Sequence, residues 1–193
     1  DYLLSEDVEC IWFDTETTGL NWQEDEIICI SFSTRAGEGF VVPILHNDGG
    51  ELDLWPLWEG KMGKVVDILQ EIFGSDKPKG GQNLLYDLRM IERDGRDEHI
   101  DAITAFGLNV RGELRDTELV HHAVAESLPH NMTSILALCT DMPFYENDIK
   151  HMKKTMAKVP DEILHPYSAA DADGLPRLWD AIRPIAEAEG TDW

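Results

Sequence analysis

The chain has 193 residues, 42% of them hydrophobic, and a formal net charge of −22 at pH 7. That length and apolar content suit one globular domain with a sizeable core. No apolar run is long enough to span a bilayer, no secretory leader is evident, and the acidity runs against the basic footprint of a duplex binder. The sequence opens at Asp1 rather than Met and stops at Trp193 after an acidic helix, so we expect residues 1–193 to be a single domain cut from a longer polypeptide.

The first predicted element is a strand over Val8–Phe13, apolar on both faces, which implies a sheet covered on both sides. Ile27–Ser33 predicts a second strand and Phe40–Pro43 a third. Residues 47–50 read as a loop, with turn chemistry at Asp48-Gly49. Lys64–Phe73 predicts a helix ending at Gly74. Residues 78–82 predict a short strand or loop. A helix over Leu84–Arg93, closed by Gly95, follows. Val110–Arg115 predicts a strand and Thr117–Glu126 a helix. Thr133–Cys139 and Asp148–Lys158 predict two shorter helices. Pro166–Ala188 predicts a long last helix, with Pro166 at its first position and Pro176 and Pro184 interrupting it. Strands come first and then alternate with helices, so the class is α/β or α+β around one mixed sheet.

Cys10, Cys29 and Cys139 are far apart and predict buried small hydrophobes rather than a metal cluster. His121 and His122 are adjacent and cannot share one helix face as a ligand pair does. His46, His99 and His151 are isolated. Asp116 precedes a predicted helix and reads as an N-cap. The tryptophans, Trp55 and Trp58 among them, read as packing residues.

Asp14-Thr-Glu-Thr-Thr-Gly-Leu20 directly follows the first predicted strand. Alternation along a strand sends Asp14 and Glu16 to one face. Two neighbouring carboxylates repel, and a divalent cation is the common way to make that arrangement favourable. On a helical wheel of Leu84–Arg93, the residues Leu84, Leu85, Leu88, Met90 and Ile91 form the apolar arc. Asp87 falls inside it. A carboxylate on a buried face requires a partner, either a metal or an arginine such as Arg115. Asn83, four residues earlier, is either a cap for this helix or part of the same site. On the last helix, Tyr167, Leu175, Leu178, Ile182 and Ile185 form the apolar stripe with Asp171 in its middle. Asp173 falls on the opposite face with Asp180 and reads as a solvated charge. Tyr167 shares the Asp171 face, so its hydroxyl is placed either to orient a water near metals or to meet a backbone carbonyl. Four lysines, Lys150, Lys153, Lys154 and Lys158, stand near Phe144 and Tyr145 and form either a strand-end contact patch or a solvated face.

Three motifs carry a resemblance. Asp14-Thr-Glu16, Asn83-Leu-Leu-Tyr-Asp87 and Tyr167-Ser-Ala-Ala-Asp171 resemble the signature motifs of the DnaQ-like, or DEDD, 3′-5′ exonucleases. The tyrosine four residues before the last aspartate resembles the DEDDy subclass. The histidine subclass places His five residues before that aspartate, where this chain has Pro166. The stretches Gly81–Asp87 and Tyr167–Asp173 are most similar to the proofreading domain of family A DNA polymerases.

The resemblance implies a ribonuclease H-like fold, a central mixed β-sheet flanked by α-helices. It implies two Mg²⁺ or Mn²⁺ ions and release of nucleoside 5′-monophosphates from a 3′ end. By motif match, Asp14, Glu16 and Asp171 hold the first ion, Asp14 bridges to the second, and Asp87 holds that one through water. Tyr167 and Glu16 position the attacking water. Thr15, Leu20 and Asn83 fall at positions expected to contact the terminal nucleotide. The implied partners are a single-stranded DNA 3′ end and a polymerase domain of the same chain, in an intracellular protein of phage or bacterial type that is monomeric as an isolated domain. Two other readings stay open: a free-standing exoribonuclease of the RNase D type, and a catalytically silent domain that supports a polymerase. A site that grips a strand end through cations carries acids by necessity, which answers part of the charge objection.

Overall fold

The structure, a computed structural model, describes residues 2–47, 52–100, 102–145, 149 and 152–191. Its centre is a five-stranded sheet in the order β3-β2-β1-β6-β7, formed by β1 (Ile11–Thr17), β2 (Ile27–Ser33), β3 (Phe40–Pro43), β6 (Lys79–Gly81) and β7 (Leu114–Asp116). The first three strands pair antiparallel, while β1–β6 and β6–β7 pair parallel. The sheet is therefore mixed, as expected. A separate hairpin joins β4 (Leu45–Asn47) to β5 (Leu52–Leu54). Asn47, expected in the loop over residues 47–50, is the last residue of β4, and residues 48–50 lie outside the described residues.

Every residue of β2 is buried, and β1 is buried except at Asp14. A strand of this kind needs cover on both faces. Alternation along β1 divides the core in two. Phe13 joins the larger cluster, meeting Phe73 of α1 (Met62–Phe73) at 5.0 Å between ring centroids. Trp12 joins the second cluster and meets Trp179 of α5 (Asp161–Ala188) at 5.5 Å. Sheet and ring approach closely here: a Cβ on Gly80 of β6 would lie 2.2 Å from the Trp12 ring, so only glycine fits.

The remaining helices are α2 (Leu84–Glu92), α3 (Thr117–Val124) and α4 (Met132–Cys139). Leu84, Asp87, Met90 and Ile91 make the buried face of α2, whereas Leu85, expected in the apolar arc, is exposed. Residues 153–158 form a 3-10 turn rather than the expected α-helix, and residues 148, 150 and 151 lie outside the described residues.

The last helix starts earlier than the sequence reading placed it. It begins at Asp161, so Pro166 is inside the helix and not at its first position. Asp161 and Glu162 sit in the first turn, where their charge favours the helix N-terminus, and the Pro160 carbonyl accepts from Ile163 and Leu164. Asp173 is not solvated as expected. It accepts from the Gly37 N–H at 2.5 Å and from Arg177, fastening the β2–β3 turn to α5.

Asp116 is the cap expected for α3, and it does more. Its carboxylate accepts the N–H groups of Glu118 and Leu119 in α3 and those of Asn83 and Leu84 at the start of α2. Asn83 is thus not the side-chain cap of α2. It holds a left-handed backbone (φ 52°), a region asparagine visits more readily than most residues, and its side chain makes no capping bond. One carboxylate serving two helix starts should matter twice over. Asp116→Ala is expected to lower the unfolding free energy by about 2 kcal/mol in urea titrations, against about 1 kcal/mol for the single cap Asn131→Ala.

Candidate active site

The strand expected to stop before the first acid runs on through Thr17. Asp14 and Glu16 therefore lie within β1, opposite Ser31 and Cys29 of β2, just before the register of the pair slips at Glu16/Thr17. They share the Trp12 face, which is the face α5 covers. Asp171 comes from the buried side of α5, and one carboxylate oxygen from each of Asp14, Glu16 and Asp171 lies within 4.8 Å of the others. Glu16 and Asp171 are almost fully buried. Three carboxylates at this spacing could hold a hard divalent ion, since oxygen-rich sites of few carboxylates suit such ions.

Asp87 is not one of the three. Only Ile11 and Trp12 of β1 pair with β6, and further along the strand the Thr15 N–H goes to Asp87 Oδ1 at 3.0 Å. The Thr15 hydroxyl donates to the same oxygen at 2.5 Å. Asp87 thus stands beside the residue between the two strand acids. Burial pushes its carboxyl well above the usual range, against the Thr15 hydrogen bonds that lower it. The alternative partner Arg115 is engaged elsewhere, with Glu113 at 2.7 Å and over the Trp179 ring at 5.3 Å. Thr15, expected to contact substrate, is here the residue that holds Asp87.

Tyr167 meets carboxylates rather than a lone backbone carbonyl. Burial raises its phenol pKa first, and Asp171, Glu16 and Asp14 then raise it further, with a hydrogen bond to Asp171 among the causes. The hydroxyl keeps its proton and acts as a donor toward the acids. A second tyrosine shares the spot: Tyr145 donates to Asp171 Oδ1 at 2.5 Å, and its ring lies 5.9 Å from that of Tyr167. The sequence reading grouped Tyr145 with the lysine patch. No local signal marks it, because it stands 26 residues from Asp171 in a stretch without regular structure.

Beside the acids opens a cleft of about 580 Å³, lined by residues 15–20 with Tyr86 and Met156. Leu20 stands at its edge with 85% of its surface exposed. Tyr86 donates to the Gly19 carbonyl and shares a hydrogen bond with Thr17, both at 2.7 Å, so it braces the turn that presents Leu20. Neither Tyr86 nor Met156 was singled out from sequence. Asn83 is exposed and is not part of this lining.

The sequence profile of one family, described as 3′-5′ exonuclease, matches residues 3–187. The chain belongs to that family. This exonuclease domain is 28% identical over 191 residues to DNA polymerase I of Pseudomonas aeruginosa, an alignment covering 95% of this chain and 19% of that protein. The domain thus spans about a fifth of that relative's length. Among solved structures, Brucella melitensis NrnC matches with a TM-score of 0.67 at 17% identity, over 98% of this chain and 79% of NrnC. NrnC has also been solved with bound Mg²⁺ and bound to pGG. The catalytic core of RRP6 from Trypanosoma brucei matches with a TM-score of 0.64 at 16% identity, over 98% of this chain and 44% of that one. The mixed sheet with flanking helices is the ribonuclease H-like fold of such exonucleases.

Cys10 and Cys29 are buried free thiols and Cys139 is half-buried; burial pushes Cys10 up to about 12. His46 is not isolated: its Nδ1 bonds Asp161 Oδ2. Trp58 donates to the Pro43 carbonyl at 2.5 Å. Of the lysine patch, the Lys158 side chain is exposed, Lys150 lies outside the described residues, and the turn carries Lys153 and Lys154. No helix among the described residues is long and apolar enough to cross a membrane.

The adjacent His121 and His122 do meet, through a third histidine. His130 holds His121 Nδ1 on one ring nitrogen and His122 Nδ1 on the other, each at 2.8 Å. Burial and then the two neighbours push the buried His121 below the usual histidine value. The unfolded chain therefore takes up this proton at a higher pH than the folded one, and folding stability falls as pH drops below about 6.5. Urea unfolding at pH 7.5 and 5.5 is expected to show this loss in the wild type and a smaller loss in His121→Gln.

Proposed function

We propose that this domain removes nucleotides one at a time from the 3′ end of single-stranded DNA, as the proofreading part of a family A polymerase. The carrying observation is the convergence of Asp14, Glu16 and Asp171, the last hydrogen-bonded by Tyr167, at the side of an open cleft. The likeness to DNA polymerase I supports the DNA substrate and the polymerase context. In this reading, Asp14, Glu16 and Asp171 would hold one divalent cation, and Asp87 would serve a second. Two such ions supply a nucleophilic water at neutral pH and relief of charge on the departing 3′ oxygen.

The protein's own groups do the rest. Tyr167 stays protonated and, with Glu16, orients the attacking water. Leu20 presses against the terminal base from the cleft edge, and apolar contact of this kind tolerates any base. Thr15 keeps Asp87 in place from the strand, and Asn83 faces solvent at the start of α2, where it is open to the terminal nucleotide. No nucleophilic serine or cysteine is required, which agrees with the buried, protonated Cys10 and Cys29 thiols.

The test compares 5′-labelled single-stranded DNA and RNA of one sequence, with Mg²⁺ and with EDTA. Trimming of DNA from the 3′ end with release of 5′-monophosphates, and its loss in EDTA, is the expected result. Asp14→Ala and Asp171→Ala are each expected to reduce the rate by several orders of magnitude with the circular-dichroism melt preserved, and Tyr167→Phe by much less. Normal rates in either alanine variant would refute the assignment. A second reading, a free-standing nuclease of RNA or very short oligonucleotides, draws support from NrnC bound to pGG. Faster cleavage of RNA or of a dinucleotide than of DNA would favour it.

A further inference from the structure

We propose that Tyr145 is a positioning residue for the metal site: it fixes the Asp171 carboxylate so that the acid trio binds divalent cations tightly. The proposal rests on the reading of Asp14, Glu16 and Asp171 as cation ligands.

Tyr145 donates to Asp171 Oδ1 at 2.5 Å, within the short range of hydroxyl–carboxylate bonds. Its ring is half-buried against the cluster that holds Trp12, Trp179 and Leu175. The hydroxyl is therefore presented from a packed surface. Tyr167 reaches the same carboxylate while packing against the other, larger cluster. Asp171 is thus held between two phenols anchored in the two halves of the core. A carboxylate offers about four lone-pair sites on two oxygens. A donor fixed on one oxygen sets the rotation of the group and leaves acceptor capacity for an ion. A phenol suits this task better than a lysine or arginine would, because it brings no positive charge to compete with a cation. Partners that orient a ligand in this way typically change metal affinity by about 10–100-fold when removed.

The experiment measures Mn²⁺ binding directly, by electron paramagnetic resonance titration of free Mn²⁺ with the protein. Tyr145→Phe keeps the ring and removes only the hydroxyl, and a circular-dichroism melt checks that the fold is retained. Its Mn²⁺ dissociation constant is expected to rise about tenfold. Tyr2→Phe loses a hydroxyl that serves Thr34 and Glu38 instead, and is expected to bind as the wild type does. The effect should also travel through Asp171. In an Asp171→Asn background the further change Tyr145→Phe should leave Mn²⁺ affinity where it was, whereas a general loosening of the fold would weaken it again. Unchanged or tighter binding in Tyr145→Phe, with a wild-type protein that binds Mn²⁺, overturns this inference alone. A wild type that binds no Mn²⁺ overturns the metal-site reading, and this inference with it.

Discussion

Three carboxylates that repel one another are held within 4.8 Å, two of them with almost no access to solvent. Left to itself such a group would spread apart or take up protons. It persists because its members come from rigid elements. Two stand on a strand laddered to β2 on one edge and held on the other by β6 and by the Asp87 bond to Thr15, and the third stands on a 28-residue helix laid against the sheet. The strand alternation that sends Phe13 and Trp12 into different halves of the core also sends Asp14 and Glu16 to the face where α5 lies.

The surrounding contacts can be understood as measures against that repulsion. Tyr145 and Tyr167 bring neutral donors to Asp171. Gly39 lets β3 approach α5 so closely that a Cβ there would lie 2.2 Å from the Ala169 carbonyl, and Asp173 ties the adjoining turn to the same helix. On the other side, Asp116 fixes the start of α2, and α2 in turn places Asp87 against Thr15. Asp87 reaches β1 through the residue between the strand acids and stands outside the group of three.

The strong negative charge of the chain, −22, takes on a different meaning beside this geometry. An acidic protein gains little from the phosphate contacts that dominate duplex binding. A strand end held through cations and apolar contact makes smaller demands, because the ions supply the positive charge where it is needed. The open cleft with Leu20 at its edge fits that economy of contact.

The sequence by itself determined the main elements and marked the acids of the candidate site. The runs at Ile11–Phe13 and Ile27–Phe32 are visible as nearly unbroken apolar stretches, because strands covered on both faces bury almost every residue, and Asp87 and Asp171 are visible as acids on buried helix faces, because burial on a helix repeats every 3.6 residues. The resemblance to an exonuclease family rested on three motifs in order, and the family match over residues 3–187 shows the membership. The tertiary structure alone decided that three of the four acids form one group while Asp87 stands against Thr15, that Tyr145 joins Asp171, that one aspartate caps two helices, and that neighbouring histidines meet through His130. These are contacts between residues far apart in the chain or from different elements. Local propensity contains no term for them, and it is the packing of α5 and α2 against the sheet that brings them within hydrogen-bonding reach.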